Sequence, residues 1–382
     1  MGVYTEYLDR RMNFQQITEE RKKQLQRISD QRGGNAILVY AANITLSNVP
    51  IGIGYDDLLP FTDQIGNLKG DKLDLILETP GGSGEVAEDI VRILRDRFSE
   101  INVIVPGWAK SAGTIMAMAA DEILMGPGSA LGPIDAQLTR RGNTFSADAL
   151  ISEFEEIKKE VTETGVLNKT YIPILQGISL GELSEAENQL AFAKTLVAEW
   201  LARYKFKNWM THSSTGNPVT SEERKQRAEE IAADLANHSK WRTHGRSIRI
   251  DDLREMHLQI TDYSGNQPLA DAIHRYHTLL QMTFAAGIFK IFETPLTQVY
   301  RAQGIQQAKQ DAQNVVAEGK CNTCGRSFKV QANLEPGQPT LPGTVPYPKD
   351  DKLNCPQCNA PIDLSGLKRQ IEAATGKKVV TE

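Results

Sequence analysis

Cysteine is scarce in this chain: there are 4 among 382 residues, all within two Cys-x-x-Cys pairs. No basic stretch followed by an apolar run opens the sequence, so Met1-Gly2-Val3-Tyr4-Thr5-Glu6-Tyr7 lacks the pattern of a secretory signal. Glu6 also stands where a myristoylation signal needs Ser or Thr. These absences set the expectation of a cytoplasmic, reducing location, where paired thiols hold a metal in preference to forming disulfides. Long hydrophobic runs are missing too. The best, Ile115 to Leu124, is interrupted by Asp121 and Glu122, so no membrane span is expected. The net charge of −5 gives the whole chain no bulk attraction to nucleic acid or anionic lipid. Neither Gly-x-x-x-x-Gly-Lys-Ser/Thr nor Gly-x-Gly-x-x-Gly occurs. Any ATP-driven step must therefore come from a separate protein, and no dinucleotide fingerprint is present. None of the 6 histidines precedes His212.

What is present is 40% hydrophobic and 24% charged residues, over a length that suits two or three globular domains. Apolar runs at 36–40, 73–77, 101–106 and 122–125 alternate with helical spacing at 55–68, 85–98 and 112–120. That alternation predicts a parallel sheet with right-handed crossovers. Residues 14–31 read as a charged helix, solvated or facing a partner, with Ile17, Leu25 and Ile28 on one side. From Ser146 to Leu235 helix predominates, and Trp241 to Ile250 is a turn region rich in His and Arg. Pro268 to Phe292 reads as another helix, Gln303 to Glu318 as a polar helical linker, and Leu334 to Asp351 as a Pro- and Gly-rich loop.

Two turns stand out. Leu77-Glu78-Thr79-Pro80-Gly81-Gly82 ends one strand, and Ala109-Lys110-Ser111-Ala112-Gly113-Thr114 ends the next. Both fall at the carboxyl edge of the sheet, where open α/β folds bind ligands. Ser111 lies at a helix N-terminus whose free N–H groups favour developing negative charge. Gly81 and Gly82 let a carbonyl approach the backbone without a Cβ in the way. A serine on one turn and free N–H groups on the other supply a nucleophile and an oxyanion hole for acyl transfer. The plainer reading is a serine that caps its helix beside an ordinary βα turn.

These segments, continued through Ile115-Met116-Ala117-Met118-Ala119-Ala120-Asp121-Glu122-Ile123 and Leu131-Gly132-Pro133-Ile134-Asp135-Ala136-Gln137-Leu138, resemble the serine dehydrogenase proteinase family. That family lies in the group holding the Clp proteolytic subunits, signal peptide peptidase A and the crotonases. The likeness is specific over about residues 35–140 and weaker to about 295, helped by Trp241-Arg242-Thr243-His244 and Ile248. It implies an α/β fold of the Clp/crotonase ββα-spiral type and serine peptidase chemistry. It also implies Ser111 as nucleophile, with the N–H of Ala112 and of Gly81 or Gly82 as the oxyanion hole.

A serine hydroxyl needs a base. A Clp-type subunit takes a histidine from the segment that here spans Ser129 to Gln137, which holds Asp135 but no histidine. Two routes follow. In one, His244 is the base and Asp135 orients it, the two roles having exchanged places along the chain, which is admissible because roles are fixed by geometry. In the other, a lysine serves as in signal peptide peptidase A, and Lys169, before the apolar Tyr171-Ile172-Pro173-Ile174, is the candidate. Lys158 and Lys159 belong to a solvent-facing helix, and the side chain of Lys110 should point away from Ser111. A base from a neighbouring subunit is a third route, and a structural role for His244 is the plainer reading of that residue.

Cys321-Asn322-Thr323-Cys324-Gly325 and Cys355-Pro356-Gln357-Cys358-Asn359 form two knuckles. Each offers two thiolates, so together they complete a tetrahedral, structural zinc site, the alternative being a redox pair or disulfides. The expected layout is an N-terminal helical arm (1–34), a peptidase domain (35–295), a helical linker (296–319) and a zinc ribbon with its tail (320–382). The expected function is peptide-bond hydrolysis by a homo-oligomer on protein or peptide substrates, with the ribbon recruiting a protein or nucleic-acid partner. The rival readings are a crotonase-like enzyme acting on acyl thioesters and a non-catalytic scaffold working through its ribbon.

Overall fold

The computed structural model describes residues 2–46, 48–140, 143–212, 215–302 and 313–381. The chain divides into two units. One comprises Leu25–Ile273 with Phe292–Val299, and the other Met1–Gln24, His274–Ile291 and Tyr300–Glu382.

In the first unit, five strands lie side by side and parallel: β1 (Ala36–Ala42), β2 (Lys72–Glu78), β3 (Glu100–Val105), β4 (Glu122–Met125) and β5 (Thr261–Asp262). Six of the seven residues of β2 are buried, as a strand covered on both faces requires. Its one buried aspartate, Asp74, is satisfied by Arg32 Nε (2.8 Å), Asn35 Nδ2 (3.1 Å) and Asn102 Nδ2 (2.8 Å). Helix α1 (Gly84–Arg97) follows β2 and turns Val86, Ala87, Ile90, Val91 and Leu94 inward at helical spacing. Its first turn is capped by Ser83, whose Oγ accepts from Val86 N at 3.1 Å. Helix α2 (Ala112–Met118) is buried along its whole length.

Beyond the ends of the main strands the chain makes a second, narrow ladder. Thr79 bridges Ala109, Ala109 pairs with Leu131, Leu131 bridges Ile248, and Gly82 bridges Ile53. The first four main strands thus each run on into a short second extended segment before a helix, which is the repeating ββα unit expected from the resemblance. The crossover from β4 to β5 is long. It holds α3 (Ala147–Thr164), α4 (Leu180–Trp200), α5 (Ser221–Ala236) and the single turn α6 (His238–Trp241).

In the second unit Tyr7, Ile17 and Leu279 pack into a small cluster. The cysteine-bearing region has its own core of Val315, Ala317, Val330, Ala332, Leu334, Tyr347, Leu364, Ile371 and Val379. Strands Asn314–Lys320 and Ser327–Asn333 pair antiparallel, as do Lys352–Asn354 and Pro361–Asp363. One Cys-x-x-Cys pair lies in the turn of each hairpin, the layout of a zinc ribbon.

Three expectations are corrected. The face of Phe14–Gln31 bearing Ile17, Leu25 and Ile28 is buried rather than solvated. The helix read over 268–292 ends at Phe284, and after Gly287 (φ 90°) the fully buried run Ile288–Glu293 is a strand. Of the helical linker at 296–319, residues 303–312 lie outside the described residues, and its ends are strands at Gln298–Ala302 and Asn314–Lys320. In the latter, Val315 and Ala317 alternate inward with period two, which a short polar stretch disguises in the sequence. Among the described residues no helix is long and apolar enough to cross a membrane.

Candidate active site and cysteine cluster

Ser111 occupies the turn between the short strand Trp108–Ala109 and α2 with φ 50° and ψ −117°. A non-glycine residue adopts such a backbone only where its surroundings force it. Its hydroxyl makes no cap hydrogen bond to α2. Capping therefore does not account for the serine, and Oγ is left uncommitted.

The two turns noted in the sequence are in contact. A Cβ on Gly81 would lie 2.7 Å from Ser111 Cβ and 2.9 Å from Lys110 O. One on Gly82, whose φ is 146°, would lie 2.3 Å from Ile53 N. The two glycine N–H groups differ. Gly81 N donates to Thr79 Oγ1 at 3.2 Å, whereas the N–H groups of Gly82 and Ala112 meet no acceptor among the described residues. Both residues line the same cleft as Ser111.

That cleft has a volume of about 550 Å³ and is lined by Ser111, Ile134, Phe192 and His244 among others. A larger cavity of about 880 Å³ lies between α4 and α5, but its walls carry Lys194, Glu199, Arg203 and Arg224 and no histidine or cysteine. In the smaller cleft a serine hydroxyl and an imidazole share one space.

Asp135 is fully buried, and its carboxylate is engaged on both oxygens. His244 Nδ1 lies 2.7 Å from Oδ1. His238 Nδ1 lies 2.9 Å from Oδ2, and Gln137 Nε2 donates to that same oxygen at 3.0 Å. Burial alone would raise the Asp135 pKa, but the hydrogen bonds from His244 and His238 outweigh it and hold the carboxyl below its usual range. With its Nδ1 on Asp135, His244 keeps Nε2 for other work.

Lys110 turns away from Ser111. Its Nζ donates to Leu131 O (3.0 Å), Arg246 O (2.9 Å) and Ser247 Oγ (3.1 Å), three acceptors for three N–H bonds. Burial, helped by the charge of Arg249, lowers its pKa to about 8. Lys110 thereby ties the turn carrying Ser111 to the segment carrying His244. Lys169, the base of the second route, lies elsewhere. It sits in a short 3-10 turn, Lys169–Tyr171, is exposed and does not line the cleft. The apolar residues after it do not bury it, because Ile172 and Ile174 are themselves exposed. His238 escaped the sequence reading. The only signal for it was its place six residues before His244, directly after Asn237, whose side chain caps α6 by accepting from Lys240 N.

Residues 3–170 match the model of a family described as ClpP-like SDH-type serine proteinase. That part of the chain is similar to this family. The chain is similar to an uncharacterized protein of Methanocaldococcus jannaschii, 28% identical over 225 residues, with 56% of this chain and 74% of that protein covered. A second uncharacterized protein of that organism is 36% identical over 95 residues, which cover 25% of this chain and 32% of the relative. Similar solved structures include a mutant of the 1510-N membrane-bound stomatin-specific protease, with 25% identity, 30% of this chain and 60% of that chain covered and a TM-score of 0.23. A ClpP1 mutant from Listeria monocytogenes shows 12% identity, with 63% and 98% covered and a TM-score of 0.31.

The four cysteines converge. Their Sγ atoms all lie within 4.8 Å of one another, with Cys321 to Cys358 at 3.7 Å and Cys324 to Cys355 at 3.8 Å. A disulfide needs about 2.05 Å between sulfurs. A tetrahedron with metal–sulfur bonds of about 2.3 Å has edges of about 3.8 Å. The spacing therefore fits a metal. Gly325 (φ 71°) and Asn359 (φ 59°), each just past a second cysteine, take the left-handed backbone that closes each knuckle.

Proposed function

We propose that the chain is a serine peptidase in which Ser111 is the nucleophile, His244 the base and Asp135 the residue that orients it. The observation that carries this reading is the strained, uncommitted Ser111 sharing one cleft with a histidine whose other nitrogen is held by a buried carboxylate. His244 Nε2 takes the Ser111 Oγ proton as Oγ attacks the scissile carbonyl carbon. The carbonyl π pair becomes the oxyanion, which the N–H groups of Gly82 and Ala112 bind. Collapse of the tetrahedral intermediate breaks the C–N bond, and the imidazolium returns the proton to the leaving amine. Water then repeats the sequence on the acyl-enzyme. Gly81, whose N–H is taken by Thr79, keeps the two turns close enough for this to work.

Cys321, Cys324, Cys355 and Cys358 hold a structural zinc in this reading. Bound there, zinc supplies a cross-link between the knuckles and takes no part in hydrolysis. The chain works as a homo-oligomer in the cytoplasm on protein or peptide substrates, without ATP of its own, and the ribbon recruits a protein or nucleic-acid partner.

The test is labelling by a serine-directed fluorophosphonate together with hydrolysis of an activated ester. Wild type and Lys169→Ala label, while Ser111→Ala and His244→Ala lose labelling by roughly 10⁴-fold or more. An unlabelled wild type marks a scaffold, and turnover of acyl thioesters that survives Ser111→Ala marks crotonase-like chemistry. Equal loss in Lys169→Ala would return the base to the lysine.

A further inference from the structure

We infer that His238 is a positioning residue of the active site, holding the second oxygen of Asp135 and sharing with His244 the single negative charge on which His244 relies. The inference rests on the roles assigned above to Asp135 and His244. His238 is pinned from two sides: its backbone N–H donates to Asp148 Oδ2 of α3 at 2.9 Å, and its Nδ1 lies 2.9 Å from Asp135 Oδ2. It is only partly exposed, its side chain retaining 27% of its accessible surface.

The charged and titratable groups around it come from each neighbouring element. Asp135 meets its ring, and His244 holds the other oxygen of that carboxylate. Asp148 takes its backbone N–H. Lys240 of α6 is occupied by Asp234 of α5 at 2.6 Å and lies over the Trp241 ring. Arg242, at the end of α6, is exposed. The cation Lys240 already has a carboxylate of its own, so Asp135 is the carboxylate that both imidazoles share.

Two imidazoles on one carboxylate titrate against each other. With both Nδ1–H groups donating to Asp135, each ring gains its second proton at Nε2, and a second positive charge in the same site is resisted. His244 must become positive as it takes the Ser111 proton, and Asp135 stabilises that charge. His238 withdraws part of that support. In return, its Nδ1–H fixes the plane of the carboxylate that holds His244.

The experiment is the pH dependence of fluorophosphonate labelling of the full chain, for wild type, His238→Ala and His238→Asn. In His238→Ala the plateau rate falls and the acid limb moves to higher pH by about one unit, because His244 alone now owns the carboxylate. His238→Asn, whose Nδ2 stands where Nδ1 stood, retains an N–H donor but no titration, so it restores the plateau while the acid limb stays displaced. Acid limbs that superimpose in all three proteins would overturn the inference and leave His238 as a fastening for α6. If wild type fails to label, the peptidase reading has failed. Imidazole NMR titration in Ser111→Ala then decides the inference separately: a His244 midpoint that rises when His238 is removed supports the sharing, and an unchanged one contradicts it.

Discussion

At Ser111 the backbone conformation costs about 1–3 kcal/mol for any residue with a Cβ, and φ is 50° there. Nothing in packing requires a hydroxyl at the position, so the strain is unexplained by stability. Ser111→Gly should therefore be more stable than Ser111→Ala by about 1 kcal/mol in chemical denaturation, with both unlabelled. Equal stabilities would mean that the turn is relaxed. The partner residues give a pH signature. The Asp135 pKa is depressed in the folded state, despite the opposing effect of burial, by its bonds to His244 and His238. Its contribution is complete above the unfolded value of about 3.9 and is lost as pH falls through the lower folded value. In thermal melts, Asp135→Asn should be less stable than wild type at neutral pH, and the gap should close below about pH 4. The orientation of Lys110 was legible in its place on the turn, whereas its purpose was not. Acceptors from residues 131, 246 and 247 are remote in sequence, and only the fold brings them to one ammonium.

The elements around the site were legible where periodicity is strong. Strands at 36–42, 72–78, 100–105 and 122–125, and the helix at 84–97, follow from apolar runs and helical spacing that one face of a sheet enforces. The strands of the ribbon were not, because short exposed hairpins carry too few apolar residues to set a period. Asp135 with His244 was legible from residue chemistry. His238 was not, since a polar residue at the start of a one-turn helix has no pattern to mark it. Two predictions belong at this scale. Gly81→Ala places a Cβ 2.7 Å from Ser111 Cβ, so labelling should fall by at least 10²-fold while far-UV circular dichroism is retained. Unchanged labelling would mean that the two turns can part freely. In the ribbon, Cys355→Ser should abolish stoichiometric zinc by elemental analysis, and chelation of wild type should expose its small core to a hydrophobic dye. Zinc retained by Cys355→Ser would contradict a four-thiolate site.

For the whole molecule, the family match spans residues 3–170, whereas His238 and His244 lie beyond it. The peptidase reading therefore depends on a long crossover continuing through α4 to α6 and returning to Asp135, a feature seen in the fold and not in the matched segment. That return is achieved by the bridge of Leu131 to Ile248, with N···O distances of 2.9 and 3.0 Å, and by the Lys110 tie beside it. Neither is visible from local sequence, since both join residues more than a hundred positions apart. The measurement that bears most directly on the account is intact-mass and peptide-level mass spectrometry of the full chain after fluorophosphonate treatment. The account predicts a single adduct located on Ser111, absent from His244→Ala and present in Lys169→Ala. An adduct on another residue, or undiminished modification of Ser111 in His244→Ala, would contradict it.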